Sequence, residues 1–164
     1  MEIIKTVDEL FDLSIPTNSS KFTKSFIHNN PGNIPVYGAS KDPKEVGYGY
    51  VADNLQGIQY FNDCLTWNID GSSGVVHYRK GRFSLSEKVI PLILKDEWKE
   101  VVDIEYLKIM IESAAIREGF SFNNKAGKSR LALLEIPLPA IGGIIDLDAQ
   151  KAYVNKFHKI YRIK

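Results

Sequence analysis

Between residues 57 and 94 the chain alternates short apolar runs with turn-forming residues, and the rest of the sequence is arranged around this stretch. The runs I-Q-Y-F, L-T-W-N-I, V-V-H-Y and V-I-P-L-I-L are rich in β-branched and aromatic residues, and N-D, D-G-S-S-G and K-G cut them. That pattern predicts strands joined by tight connections. D-G-S-S-G is expected to project Asn68, Asp70, Ser72 and Ser73 from the ends of two paired strands. R-K-G-R is expected to be a second, basic turn that groups Arg79, Lys80 and Arg82.

Upstream, residues 7–13 have helical spacing and stop at Pro16, and Thr23 is placed to cap a short helix through Ile27. N-N-P-G at 29–32 predicts a turn, and 33–38 a strand that Pro35 confines to an edge or to its first residues. A Gly- and Tyr-rich loop then leads into another strand. Downstream, Asp103 is expected to cap a helix over 104–118, with Ile104, Leu107, Ile111, Ala114 and Ala115 as its buried stripe and Gly119 as its stop. F-S-F-N-N-K-A-G-K-S-R follows as a polar, basic loop, and L-L-E-I-P-L-P returns extended to the core. Asp146 or Asp148 begins a last helix whose apolar positions, Ala149, Tyr153, Phe157 and Ile160 among them, keep helical spacing to the final residue. Such an unfinished stripe fits a partner helix or a fold back onto the domain.

With 164 residues, 44% hydrophobic and 25% charged, the chain is expected to form one soluble globular domain of mixed α+β class. No apolar run approaches the ~20 residues that span a bilayer, so no membrane is expected. The N-terminus carries acids where a signal peptide carries bases, and Cys64 has no second cysteine to pair with, so the expected compartment is the cytoplasm. Net charge is only +1, but from Arg117 onward bases outnumber acids.

The three histidines are scattered, so no metal site is expected, and G-K-S at 127–129 reads as a helix cap because the rest of the phosphate-loop motif is missing. Asp70 followed by Glu97-Trp98-Lys99 has the acid, acid-x-Lys order of magnesium-dependent nucleases, which keeps a stand-alone nuclease as a rival reading. A protein- or glycan-binding module with tyrosine-rich loops is another. What remains is a set of Asn, Ser, Thr, Tyr, Lys and Arg residues on loops, the types that contact phosphates and base edges.

At this point the sequence resembles a known family. K-F-T-K-S-F-I, N-I-P-V-Y-G-A-S, G-Y-G-Y-V, T-W-N-I-D-G-S-S-G and L-E-I-P-L-P, followed by a helix with Gln near its start, occur in the order seen in target recognition domains of type I restriction-modification specificity subunits. The related domains of fused type II restriction-methylation enzymes are similar. The resemblance covers nearly the whole chain.

The resemblance implies a DNA target recognition domain over 1–145, with a twisted β core and a packed helix. Residues 146–164 would then begin a spacer helix that pairs with its counterpart. It further implies sequence-specific binding of double-stranded DNA with no catalytic residue and no cofactor of its own. S-adenosylmethionine, ATP and magnesium would belong to the partner methyltransferase and restriction-translocase subunits. The DNA-facing residues it implies are Lys21, Thr23, Lys24, Tyr37, Lys41, Asn68, Ser72, Ser73, Arg79, Lys80, Arg82, Asn124, Lys125, Lys128 and Arg130. There is room for one recognition domain, so a half-length subunit would read a whole site as a homodimer through the last helix. A-I-G-G-I-I-D-L-D stands where the family has a Pro-rich lead into that helix.

Overall fold

The computed structural model describes residues 1–69, 73–120 and 127–162, with the side chain of Arg162 excepted. In chain order the elements are β1 (Glu2–Thr6), α1 (Val7–Leu10), β2 (Phe11–Asp12), α2 (Lys24–Asn29), β3 (Pro31–Tyr37), β4 (Gly47–Val51), β5 (Tyr60–Asn68), β6 (Val76–Leu85) and β7 (Val89–Leu94). A 3-10 turn at Asp96–Trp98 then precedes α3 (Ile104–Glu118), α4 (Lys128–Ala132), β8 (Glu135–Ile141), β9 (Ile144–Ile145) and α5 (Leu147–Arg162). The mixed α/β class expected from the pattern is the one observed.

The strands form a six-stranded sheet in the order β2-β7-β5-β6-β3-β4 and a three-stranded sheet in the order β1-β8-β9. Every pairing is antiparallel except β3 with β6, which meet in parallel only at Val36 and Tyr37. Pro35 therefore lies in an inner strand, contrary to expectation. It is tolerated because that half of β3 pairs with β4 alone.

The main core lies between the large sheet and α3. Leu65 and Trp67 of β5, Val76 of β6, and Ile90 and Leu92 of β7 meet Leu107, Ile111, Ala114 and Ala115 of α3, all buried. Asp103 caps α3 by accepting from the Tyr106 N–H at 3.0 Å, and Gly119 closes it in the left-handed region. The helix buries more than one stripe, since Tyr106 and Ile109 are also covered. The second sheet and α5 pack on its other sides, and the Tyr106 hydroxyl donates to the Pro137 carbonyl at 2.5 Å.

Two expected turns are one bulge. β5 runs through Asn62-Asp63 and β6 through Lys80-Gly81 without a break. Asn62 pairs with Arg82 and Cys64 with Arg79, so two residues of β6 face one of β5. Asp63 (φ 46°) and Gly81 (φ 78°) take up the distortion, and the Gly81 N–H donates to Asp63 Oδ1 at 2.6 Å. Asp and Gly tolerate positive φ in bulges as readily as in turns, which is why the sequence signal misled.

The expected turn at 29–32 is likewise absent. α2 continues to Asn29, the Asn30 amide closes it on the Phe26 carbonyl at 2.9 Å, and Pro31 already begins β3. A real two-residue turn appears at Gly142-Gly143 between β8 and β9, with φ of 58° and 80°. Left-handed residues at both positions suit the strand twist. This hairpin occupies the A-I-G-G-I-I-D-L-D segment and delivers the chain to α5, where Asp146 accepts from the Ala149 N–H at 3.0 Å.

Candidate nucleic-acid interface

The β5–β6 hairpin carries the candidate site. At its closed end, past Asn68 and before Val76, three chain segments converge. Loop 38–46 lies over one face of the hairpin, held by side chains of β5 and β6. The Asn68 amide donates to the Ser40 carbonyl at 3.0 Å, His77 Nε2 sits 2.8 Å from the same carbonyl, and Arg79 Nη1 donates to the Pro43 carbonyl at 2.6 Å. On the other face, Gly74 at the hairpin's base packs near Ala115 and Phe120, and Trp67 meets Phe120 edge-on at 5.9 Å. Arg130 of α4 stacks over Phe120 at 4.6 Å, which brings α4 to the same face.

Of the residues implied as DNA-facing, Lys41, Lys128 and Arg130 are exposed, and Lys41 and Arg130 lie at this closed end. A second group lies toward the hairpin's open end. Lys21 donates to the Gly57 carbonyl at 2.5 Å, Lys24 is exposed at the start of α2, and Thr23 caps that helix by accepting from Phe26 at 3.1 Å. Arg82 pairs with Asp53 at 2.7 Å and lies over the Tyr60 ring at 4.7 Å. Lys80 is exposed on β6, 5.5 Å from the Tyr78 ring. Ser72, Asn124, Lys125 and Asp70 lie outside the described residues.

Four placements correct the sequence reading. There is no basic turn at 79–82, because the bulge keeps those residues in one strand and alternation sends them to different surroundings. Arg79 is buried at 4% exposure, its guanidinium 3.8 Å above the half-buried Tyr37 ring. Asn68, expected at an exposed turn, has no exposed surface, because it still belongs to β5 and faces Ser40. Ser73 is also buried.

His77 is the residue that sequence reasoning passed over. It lies opposite Thr66, is buried, and bonds Ser40. Its only sequence signal was a polar residue at an inward position of an apolar strand. Burial holds its pKa below the usual histidine range, helped by nearby Arg79 and Lys108 and opposed by the Ser40 bond and Glu112. The neutral tautomer with a proton on Nε2 satisfies the Ser40 carbonyl. Burial also lowers the Arg79 pKa, an effect opposed by Tyr37, although arginine remains a cation in proteins.

Cys64 is buried, and its pKa is pushed up to about 12 by burial and by Asp63, so its thiol is inert packing rather than a nucleophile. Lys99 pairs with Asp96 at 2.7 Å instead of Glu97. Among the described residues no three His, Cys, Asp or Glu side chains are gathered to hold a metal ion. No helix there is long and apolar enough to cross a membrane.

A sheet with the Lys41 loop and the Arg130 region at one end, followed by a terminal helix, is the kind of scaffold that macromolecular recognition domains use. The family comparison gives it a definite place: residues 3–164 match the type I restriction modification DNA specificity domain, and the chain belongs to that family. Among curated relatives it is 28% identical over 117 residues to the putative type I specificity subunit S.MpnORF201P of Mycoplasma pneumoniae, covering 71% of this chain and 45% of that one. It is 28% identical over 120 residues to the MpnII specificity subunit of the same organism, covering 73% of this chain and 34% of that one.

Among solved structures, the S subunit of a type I restriction-modification system from M. genitalium superposes with a TM-score of 0.68 at 20% identity, over 97% of this chain and 38% of that chain. HsdS from Thermoanaerobacter tengcongensis gives 0.61 at 11% identity, over 96% and 37%. At these identities the likeness is one of fold. The chain spans less than half the length of the curated relatives it matches. None of these comparisons supports the nuclease reading.

Proposed function

We propose that this chain reads one half of a bipartite duplex-DNA target as the recognition domain of a type I restriction-modification specificity component. Bond-making and bond-breaking fall to partner methyltransferase and restriction subunits, working in the cytoplasm where the DNA lies. The family match over residues 3–164 carries the reading. The convergence of loop 38–46, the hairpin turn and the Arg130 region at one end of the sheet agrees with it. Residues 1–145 act as the reading unit and 146–164 as a spacer that pairs with a second such helix, either in a longer subunit or between two copies.

Lys24, Lys128 and Arg130, all exposed, are assigned to the duplex backbone. Asn68 and Arg79 are withdrawn as direct contacts because they are buried. Replacing Lys128 and Arg130 with Gln should weaken duplex binding and lower the slope of log K against log salt by about 0.9 per lost phosphate contact, read by fluorescence anisotropy across a salt series. Unchanged affinity and slope in the double variant would remove α4 from the interface. Plasmid cleavage by the pure chain with magnesium would restore the nuclease rival.

A further inference from the structure

We propose that loop 38–46 is the base-reading finger of this interface, and that Asn68, His77 and Arg79 are positioning residues that fix it from beneath. The inference rests on the DNA-reading assignment and goes on to divide the labour within it.

The loop's tip, residues 41–45, is exposed throughout, whereas the three side chains that hold the loop from beneath are 0 to 5% exposed. Each of those side chains bonds a backbone carbonyl of the loop, Ser40 or Pro43, so the loop's position and not its side chains is what they recognise. The tip is braced internally as well. Ser40 Oγ donates to Glu45 at 2.9 Å, and Asp42 accepts from the Lys44 N–H at 2.9 Å.

The mount is costly. Among the described residues Arg79 has no carboxylate partner, and its Nε, Asn68 Oδ1 and Thr66 Oγ1 are buried without a hydrogen bond. A buried cation and unmet polar atoms are what a fold optimised for stability alone replaces with apolar side chains. Their presence under one exposed loop fits a demand for geometry. Reading a base edge requires donors held within about half an ångström, and ordering a loose loop on binding would cost affinity.

The tip's chemistry also suits reading over gripping. Lys41 and Lys44 are offset by Asp42 and Glu45, so the tip adds no net attraction for phosphates. Both acids are engaged in the bracing, which leaves two exposed ammonium groups of the kind that bond guanine O6 and N7.

The test is enrichment of a randomised duplex library by the full chain, followed by competition binding of the enriched duplex against single-base-pair variants. Asn68→Ala, His77→Ala and Arg79→Met, each checked for a cooperative thermal melt, should lose roughly tenfold in discrimination while the salt slope stays unchanged. His77→Gln, whose amide can still donate to the Ser40 carbonyl, should retain discrimination. The double variant Lys41→Gln, Lys44→Gln lies on the exposed tip, does not threaten folding, and should enrich a different sequence.

Full discrimination in folded mount variants, or the same enriched sequence from the tip variant, overturns the proposal. If the mount variants do not fold, the tip variant decides alone. Failure of the parent chain to enrich any sequence overturns the DNA-reading assignment itself, and the finger with it.

Discussion

His77 and Asn18 show what single buried polar residues do in this fold. Asn18 comes from the polar segment T-N-S-S, yet it is 1% exposed. Its Oδ1 accepts from the Gln59 N–H at 2.6 Å, and its amide donates to Ser84 Oγ at 2.8 Å and the Leu85 carbonyl at 2.9 Å, tying the N-terminal segment to β6. His77 does the equivalent for loop 38–46, and it adds a pH dependence. Its folded pKa is lowered from 6.5, so the unfolded chain binds the proton more readily. Stability from this group is therefore complete above pH ~6.5 and is lost as pH falls below it. Melting temperature should drop more steeply from pH 7 to pH 5 in the parent than in His77→Gln. Parallel curves for the two proteins would show that the histidine stays out of the linkage.

At the scale of elements, α5 is attached by its first turns and projects by its last. Gln150 has no exposed surface; its Oε1 accepts from the Asp103 N–H at 2.8 Å and its Nε2 donates to the Val101 carbonyl at 3.0 Å. One side chain thus joins the start of α5 to the start of α3, and Val154 adds apolar packing a turn later. Replacing Gln150 with Leu strands both backbone groups and should cost about 1–3 kcal/mol, read by urea denaturation. Amide exchange in α5 should rise while that of β5 and β6 does not; a uniform rise would mean that α5 is not a separable element. The sequence located this helix and its Gln correctly, but spacing alone could not say which backbone groups the amide would meet.

The molecule as a whole has an end proposed to meet DNA and a helix end, joined by one sheet-helix core. Along the far part of α5, Tyr153 (43% exposed), Ile160 (55%) and Tyr161 (52%) flank the half-buried Phe157, the surface proposed to meet a second spacer helix. If two copies pair there, Ile160→Lys should convert dimer to monomer in sedimentation at tens of micromolar, with duplex binding per chain retained. A parent chain that sediments as monomer throughout would confine the helix to pairing within a longer subunit.

Local rules determined much of this protein. Helix caps at Thr23, Asp103 and Asp146, the extent of α3, and strands over most of 57–94 follow from interactions within a few residues, and those are written in the chain. The mixed class and the family followed from the order of such segments. Only the tertiary structure decided that N-D and K-G form one bulge instead of two turns, because register is a relation between strands. It also decided that Asn68 and Arg79 lie under a loop instead of at a tip. Burial of a polar side chain depends on which carbonyl arrives from 28 to 37 residues away, as Ser40 and Pro43 do here, and no local pattern encodes that partner.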